Sequence, residues 1–189
     1  MGPGYIETFR SSLQGSATLH ETAADGATET LSAAVEPPAV GTALPFEGVS
    51  LPDAVETDFS PADLERAETG VTPARYAIAT YGTVTLAADP AGTELVSLYP
   101  PRHIAVLAAS AVVPDMAAAY ERLDADIGGG EDEAGRETNG SDADRPGASD
   151  RGADTQVLAT GPSATADMGT LVEGVHGPHE VHIVLLEDR

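Results

Sequence analysis

Hydrophobic residues in this chain come in short runs of two kinds. Residues 102–109 and the run Val181-His182-Ile183-Val184-Leu185-Leu186 are apolar almost without alternation, the pattern of strands buried on both faces. Residues 76–80 and Thr83–Ala87, separated by Tyr81-Gly82, are rich in β-branched and aromatic side chains and predict two strands or one bulged strand. Shorter strands are expected at 17–21, 39–44 and 157–160. Between them, helical periodicity covers 5–13, 28–35 and a stretch from Pro114 to about Leu123, with Pro37-Pro38 stopping the second. The best-signed helix opens at Ser60-Pro61-Ala62-Asp63-Leu64, which supplies an N-cap, a first-turn proline and a first-turn acid, and Gly70 is expected to close it. Helices alternating with strands, some wholly apolar, predict an α/β fold with a mostly parallel sheet flanked by helices.

The hydrophobic pattern stops between Gly128 and Gln156, where no Val, Ile, Leu, Met or aromatic residue occurs among seven glycines, eight acids and three arginines. A tract of this composition buries nothing and is expected to be a solvated, disordered acidic loop. Patterned sequence stands on both sides, and the later piece is too short for a domain. The chain therefore predicts one domain over 1–189 with 128–156 inserted into it.

Charge then narrows the function classes. The 189 residues carry 31 acids and 9 bases, a formal charge of −22. Binding to nucleic acid through the phosphate backbone needs clustered cations, so it is not expected. All nine bases are arginine, which excludes a lysine Schiff base or a phosphate-loop lysine, and there is no cysteine for a thiolate metal site, disulfide or iron–sulfur ligation. Acid enrichment without lysine fits a potassium-rich cytoplasm, where salt near 1 M shrinks the Debye length to about 3 Å and screens self-repulsion. The N-terminal Met1-Gly2-Pro3-Gly4-Tyr5-Ile6-Glu7 has neither a basic nor an apolar signal region. The longest uncharged apolar run, 104–114, is far short of the ~20 residues that span a bilayer, so a cytoplasmic location without membrane insertion is expected.

Candidate chemistry gathers late in the chain. Thr160-Gly161-Pro162-Ser163-Ala164-Thr165-Ala166-Asp167 follows a strand expected to be buried, so the loop is placed beyond a strand carboxyl end, where α/β sheets bind ligands. Ser163 and Thr165 offer hydroxyls, and Asp167 can orient a hydroxyl or cap a helix; composition alone favours Ser163 as an N-cap after a Gly161-Pro162 turn. Gly174-Val175-His176-Gly177-Pro178 brackets a histidine able to act as a general acid or base. His176, His179 and His182 are spaced i, i+3, i+6, but Pro178 and the following strand pattern break any shared face, so no metal site is predicted. His182 and His103 read instead as satisfied core histidines. Gly82-Thr83 interrupts a strand pattern, as a bulge or a close ligand approach does. Arg102, at the edge of the core, fits either a bidentate anion contact or a structural ion pair.

Taken in order, these segments resemble the LUD-domain family, in its lactate-utilisation protein C (LutC, YkgG-like) branch. The resemblance rests on Gly161-Pro162-Ser163-Ala164-Thr165-Ala166-Asp167-Met168, on Gly174-Val175-His176-Gly177-Pro178, and on the final run from Glu180 to Leu186. Upstream, Pro100-Pro101-Arg102-His103-Ile104-Ala105-Val106 with Ser110 and Val113-Pro114-Asp115 is similar to the family's proline-led strand and following helix. Ala77-Ile78-Ala79-Thr80-Tyr81-Gly82-Thr83 is similar to a segment usually reading Ala-Glu-Thr-Gly-Thr, with Thr80 and Tyr81 in place of the Glu and first Thr. The resemblance implies a NagB/RpiA/CoA-transferase-like fold and a part in oxidation of L-lactate to pyruvate beside iron–sulfur partner proteins. This chain would bind no cofactor of its own. It would be a non-redox subunit holding a small anionic ligand near Gly82, Thr83, Arg102, Gly161, Pro162, Ser163, Thr165, Gly174 and Gly177, with His176 and Asp167 as proton-transfer residues. A free-standing sugar-phosphate or CoA-ester enzyme of the same fold is the alternative.

Overall fold

The structure, a computed structural model, describes residues 4–128, 155–167, 170–173 and 177–189. The tract expected to be a disordered insertion lies outside the described residues except at its two ends. There Gly128 closes a helix and Gln156 opens a strand.

Six strands form the main sheet, all parallel, in the order β1-β12-β7-β4-β2-β3. They are β1 (Thr18–Thr22), β2 (Ala39–Gly41), β3 (Val55–Glu56), β4 (Thr69–Pro73), β7 (Arg102–Ala108) and β12 (Glu180–Leu186). A second, mixed sheet has the order β8-β5-β6-β9, from β5 (Tyr76–Ile78), β6 (Thr83–Ala87), β8 (Val112–Val113) and β9 (Gln156–Ala159). Strands β10 (Ala164–Asp167) and β11 (Thr170–Glu173) form an antiparallel pair. The helices are α1 (Gly4–Ser12), α2 (Ala27–Ala34), α3 (Pro61–Arg66), α4 (Thr93–Leu98) and α5 (Met116–Gly128).

Two adjacent strands explain the unbroken apolar runs. Along β7, Ile104 and Val106 enter a core shared with Leu31 of α2, while Ala105 and Leu107 enter a second core with Phe9 and Ile78. Strand β12 does the same, with Val184 and Leu186 on the α2 side and Ile183 and Leu185 on the other. A strand covered on both faces has no solvent side, so its sequence loses the alternation of a half-exposed strand. Each fully buried Val, Leu or Ile here contributes about 1.5–3 kcal/mol relative to exposure. A third, smaller cluster seats α3 and α4 through Val40, Leu64, Ala67 and Val96.

The mostly parallel α/β class is as expected, but several local expectations change. Helix α3 has its capping box, with Ser60 Oγ accepting from the Asp63 amide and the Asp63 carboxylate accepting from the Ser60 amide. Gly70 does not close it: α3 ends at Arg66, and Gly70 sits inside β4. There a Cβ would lie 2.0 Å from the Val96 carbonyl oxygen, so glycine is required by the close approach of α4 to the sheet. Neither β4 nor α4 is anticipated by periodicity, because each is only five or six residues long. The expected strand at 39–44 shortens to Ala39–Gly41. Residues 76–87 form a hairpin around a 3₁₀ turn, Ala79–Tyr81, that ends at Gly82 with φ +61°. Strand β9, expected to be buried, is an edge strand with Leu158 51% exposed.

His103 is a satisfied core histidine, its Nε2 2.8 Å from Thr72 Oγ1, and burial pushes its imidazole down to about 4. Between that value and the ordinary 6.5, the unfolded chain binds a proton that the folded chain does not, so stability falls as pH falls. The loss from this one residue reaches about 3 kcal/mol by pH 4. Denaturant titrations in molar KCl at stepped pH should show this slope, flattened in His103→Gln. The same titrations should find Gly70→Ala destabilised by about 3 kcal/mol or more, since overpacking against backbone has no flexible neighbour to yield.

Candidate functional site

The turn from α1 into β1 is the hub around which the glycine-framed segments gather. Its backbone closes tightly, with the Ser16 and Ala17 amides both donating to the Leu13 carbonyl. Gly82 lies against the start of this turn: an added Cβ would stand 2.9 Å from the Ser12 carbonyl oxygen, and its φ is positive. Gly161, at φ +66°, lies against the end of it, where a Cβ would stand 2.9 Å from Ser16 Cβ. Gly177 meets Ser163 at 3.0 Å on the same terms, and the Ser163 amide donates to the Pro178 carbonyl at 2.8 Å. Thr83 Oγ1 and Thr160 Oγ1 share a hydrogen bond of 2.5 Å that ties the 82–83 corner to the 160–163 loop.

These loops border a cleft of about 540 Å³ lined by Ser16, Thr18, Arg102, Pro162, His179 and His182, among others. Thr18, Arg102 and Glu180 are the first residues of β1, β7 and β12, so the cleft lies at the amino ends of the main sheet. The 161–163 loop was expected beyond a carboxyl end. It follows β9, which runs antiparallel to β6 in the second sheet, and that delivers it to the opposite edge. The expectation that Ser163 could be an N-cap also fails, because the residues after it form β10 rather than a helix.

The electrostatics of the cleft centre on Arg102. Its guanidinium donates to Glu180 through Nε at 2.7 Å, reaches Glu36 through Nη1 at 2.8 Å, and donates to the Ala34 carbonyl at 3.1 Å. Burial works against its charge, but the hydrogen bonds and charges of Glu180 and Glu36 outweigh that and raise the guanidinium above its ordinary value. The Arg102 hydrogen bond in turn holds the Glu180 carboxyl low. Beside this pair, His182 stacks on His20 with ring centroids 5.3 Å apart, and Nδ1 of His182 lies 3.0 Å from Nε2 of His20. Burial first, then His20 and Arg102, hold the His182 imidazole below its ordinary value against the opposing pull of Glu180. The wall thus combines imidazoles, hydroxyls and a guanidinium bridging two carboxylates, groups suited to a small polar ligand and to proton exchange near neutrality.

Of the residues singled out in the sequence, Arg102 and Pro162 line the cleft, and Gly82, Thr83, Gly161, Ser163 and Gly177 build the loops around it. Thr165 and Asp167 pair across β10 and β11 with Val172 and Thr170. Gly174 and His176 lie outside the described residues. Sequence reasoning passed over His20 and Glu36 as site neighbours, and no local signal marks them, since each meets its partner only through the fold.

A protein-family model described as the LUD domain matches residues 15–186. Proteins named lactate utilization protein C from Macrococcus caseolyticus and Halalkalibacterium halodurans are each 32% identical over 126 residues, and one from an Exiguobacterium species is 33% identical over 125. Those alignments cover 65–66% of this chain and 46% of each relative, so the chain spans about half the length of the curated relatives it matches. The crystal structure of a DUF162 family protein from Deinococcus radiodurans superposes with a TM-score of 0.64 at 20% identity, covering 97% of this chain and 96% of that one. This shows a common fold.

The histidine pair gives the cleft a measurable signature. By NMR titration of the imidazole carbons, His182 should titrate below 6.5, with His20→Phe moving it up and Glu180→Gln moving it further down. An unchanged midpoint in both variants would contradict the geometry.

Proposed function

Because this chain belongs to the LUD-domain family, we propose that it is a non-redox subunit or accessory protein of a system that oxidises L-lactate to pyruvate together with iron–sulfur partner proteins. The observation that carries this reading is the similarity to three proteins named lactate utilization protein C, over 125–126 residues at 32–33% identity. The 189 residues contain no cysteine, so in this reading any cluster belongs to a partner.

The ligand of this reading is a small anion held by the loops of Gly82-Thr83, Gly161-Pro162-Ser163 and Gly177, with Thr165 and Gly174 as further contacts. Arg102, held by Glu36 and Glu180, is a further ligand contact in this reading. His176 and Asp167 are assigned the proton transfer: histidine titrates nearest neutrality, and a carboxylate can orient it. The reading extends to a cytoplasm rich in potassium salt, which would screen the −22 charge.

Deletion of the gene should abolish or severely slow growth on L-lactate while sparing growth on pyruvate, and undiminished growth on lactate would overturn the reading. Complementation by Gly161→Val should fail, since a branched side chain at φ +66° cannot fit against Ser16. Affinity purification in molar KCl should bring down a cysteine-rich iron–sulfur protein. Turnover of a sugar phosphate or CoA ester by the isolated chain would favour a free-standing enzyme instead.

A further inference from the structure

Strands β2 and β4 are neighbours in the main sheet, yet the chain leaves their carboxyl ends in opposite directions. From β2 it goes outward to the edge strand β3; from β4 it goes through the second sheet and α4 to β7 on the other side. Diverging connections cannot close over the gap between two parallel strands, and such a switch point is where open α/β sheets hold ligands. A cavity of about 570 Å³ lies there, walled by the segment after β2 and by the segment leaving β4. That volume suits a metabolite-sized ligand. The cavity shares no lining residue with the cleft at the amino ends of the sheet. The seven residues of β7 put roughly 20 Å of strand between the two ends.

The lining has two characters. Pro45 and Phe46 from the first segment present an apolar wall. Arg75, just past β4, and Arg122, on α5, line the same cavity, two of the six arginines among the described residues. The Arg122 guanidinium carbon lies 5.9 Å from the centroid of the buried Tyr76 ring, a cation–π contact between two residues of the lining. The carboxylate in the lining, Asp89, accepts from the Thr93 amide at 3.1 Å and from Thr93 Oγ1 at 2.8 Å, and so serves to start α4. Guanidinium groups take carboxylates and phosphates through planar paired N–H donors, so a concave wall carrying two of them suits an anionic head.

We propose that this cavity is a second small-molecule site, taking an organic anion whose carboxylate or phosphate head rests on Arg75 and Arg122 and whose apolar body lies on Pro45 and Phe46. It stands apart from the proposed lactate role and from the loops assigned to it. Phenyl phosphate and benzoate share an apolar body and differ in the charged head, so isothermal titration of each against the full chain in molar KCl reads both the site and its preferred head group. At least one should bind saturably at one per chain, and the tighter of the two identifies the head group. Arg122→Gln and Phe46→Ala should each weaken it by about tenfold or more, the scale of losing one charge-assisted contact in the first and one buried apolar side chain in the second. Arg66→Gln, at an exposed ion pair outside both pockets, should bind like the parent. No saturable binding of either probe would overturn the proposal, as would parent-like affinity in both cavity variants. Binding lost in Gly161→Val but kept in Arg122→Gln would also overturn it, and would leave the lactate reading intact.

Discussion

Burial of β7 and β12 on both faces is the constraint from which the rest of this molecule follows. A pair of adjacent parallel strands whose alternate residues feed separate cores must be covered by something on each side. On one side that cover is α2; on the other it is α1 together with the second sheet. With both faces occupied, connections can emerge only at the strand ends, and functional groups are confined to those two rims. Close packing adds a second demand, that some backbone approach others without an intervening Cβ. It is met at Gly70 under α4, and at Gly82 and Gly161 around the α1–β1 turn.

The two rims are built differently. At the amino ends, Arg102 bridges Glu36 and Glu180, and His182, stacked on His20, is held toward its neutral form chiefly by burial. Such a rim is polar and suited to hydrogen bonding. At the carboxyl ends of β2 and β4, Arg75, Arg122 and Asp89 share a cavity with the apolar wall of Pro45 and Phe46. At both rims the carboxylates have partners: Glu36 and Glu180 meet Arg102, and Asp89 meets Thr93.

Legibility followed the range of the interactions concerned. The capping box of Ser60 and Asp63 was readable because both partners lie within one helical turn. The doubly buried strands were readable because apolar content on two faces leaves a mark in every consecutive residue. Strand β4 was not: Thr69-Gly70-Val71-Thr72-Pro73 looks like a helix ending, and only the approach of Val96 explains its glycine. The site residues behaved alike. Gly161, Ser163 and Gly177 stood out as glycine-framed loops, whereas Glu36 and His20 carry no local sign of the partners they meet.

The sequence by itself determined the α/β class, the main buried strands and the exclusion of lysine and cysteine chemistry, because these depend on residue type and local period alone. Tertiary structure decided which rim each loop reached, which carboxylates hold Arg102, and where two arginines share a cavity. The physical reason is that strand order and direction come from pairings such as Thr18 with His182 and Arg102 with Glu180. Residues that far apart meet only when the whole sheet assembles, and no local pattern records which end of it they will face.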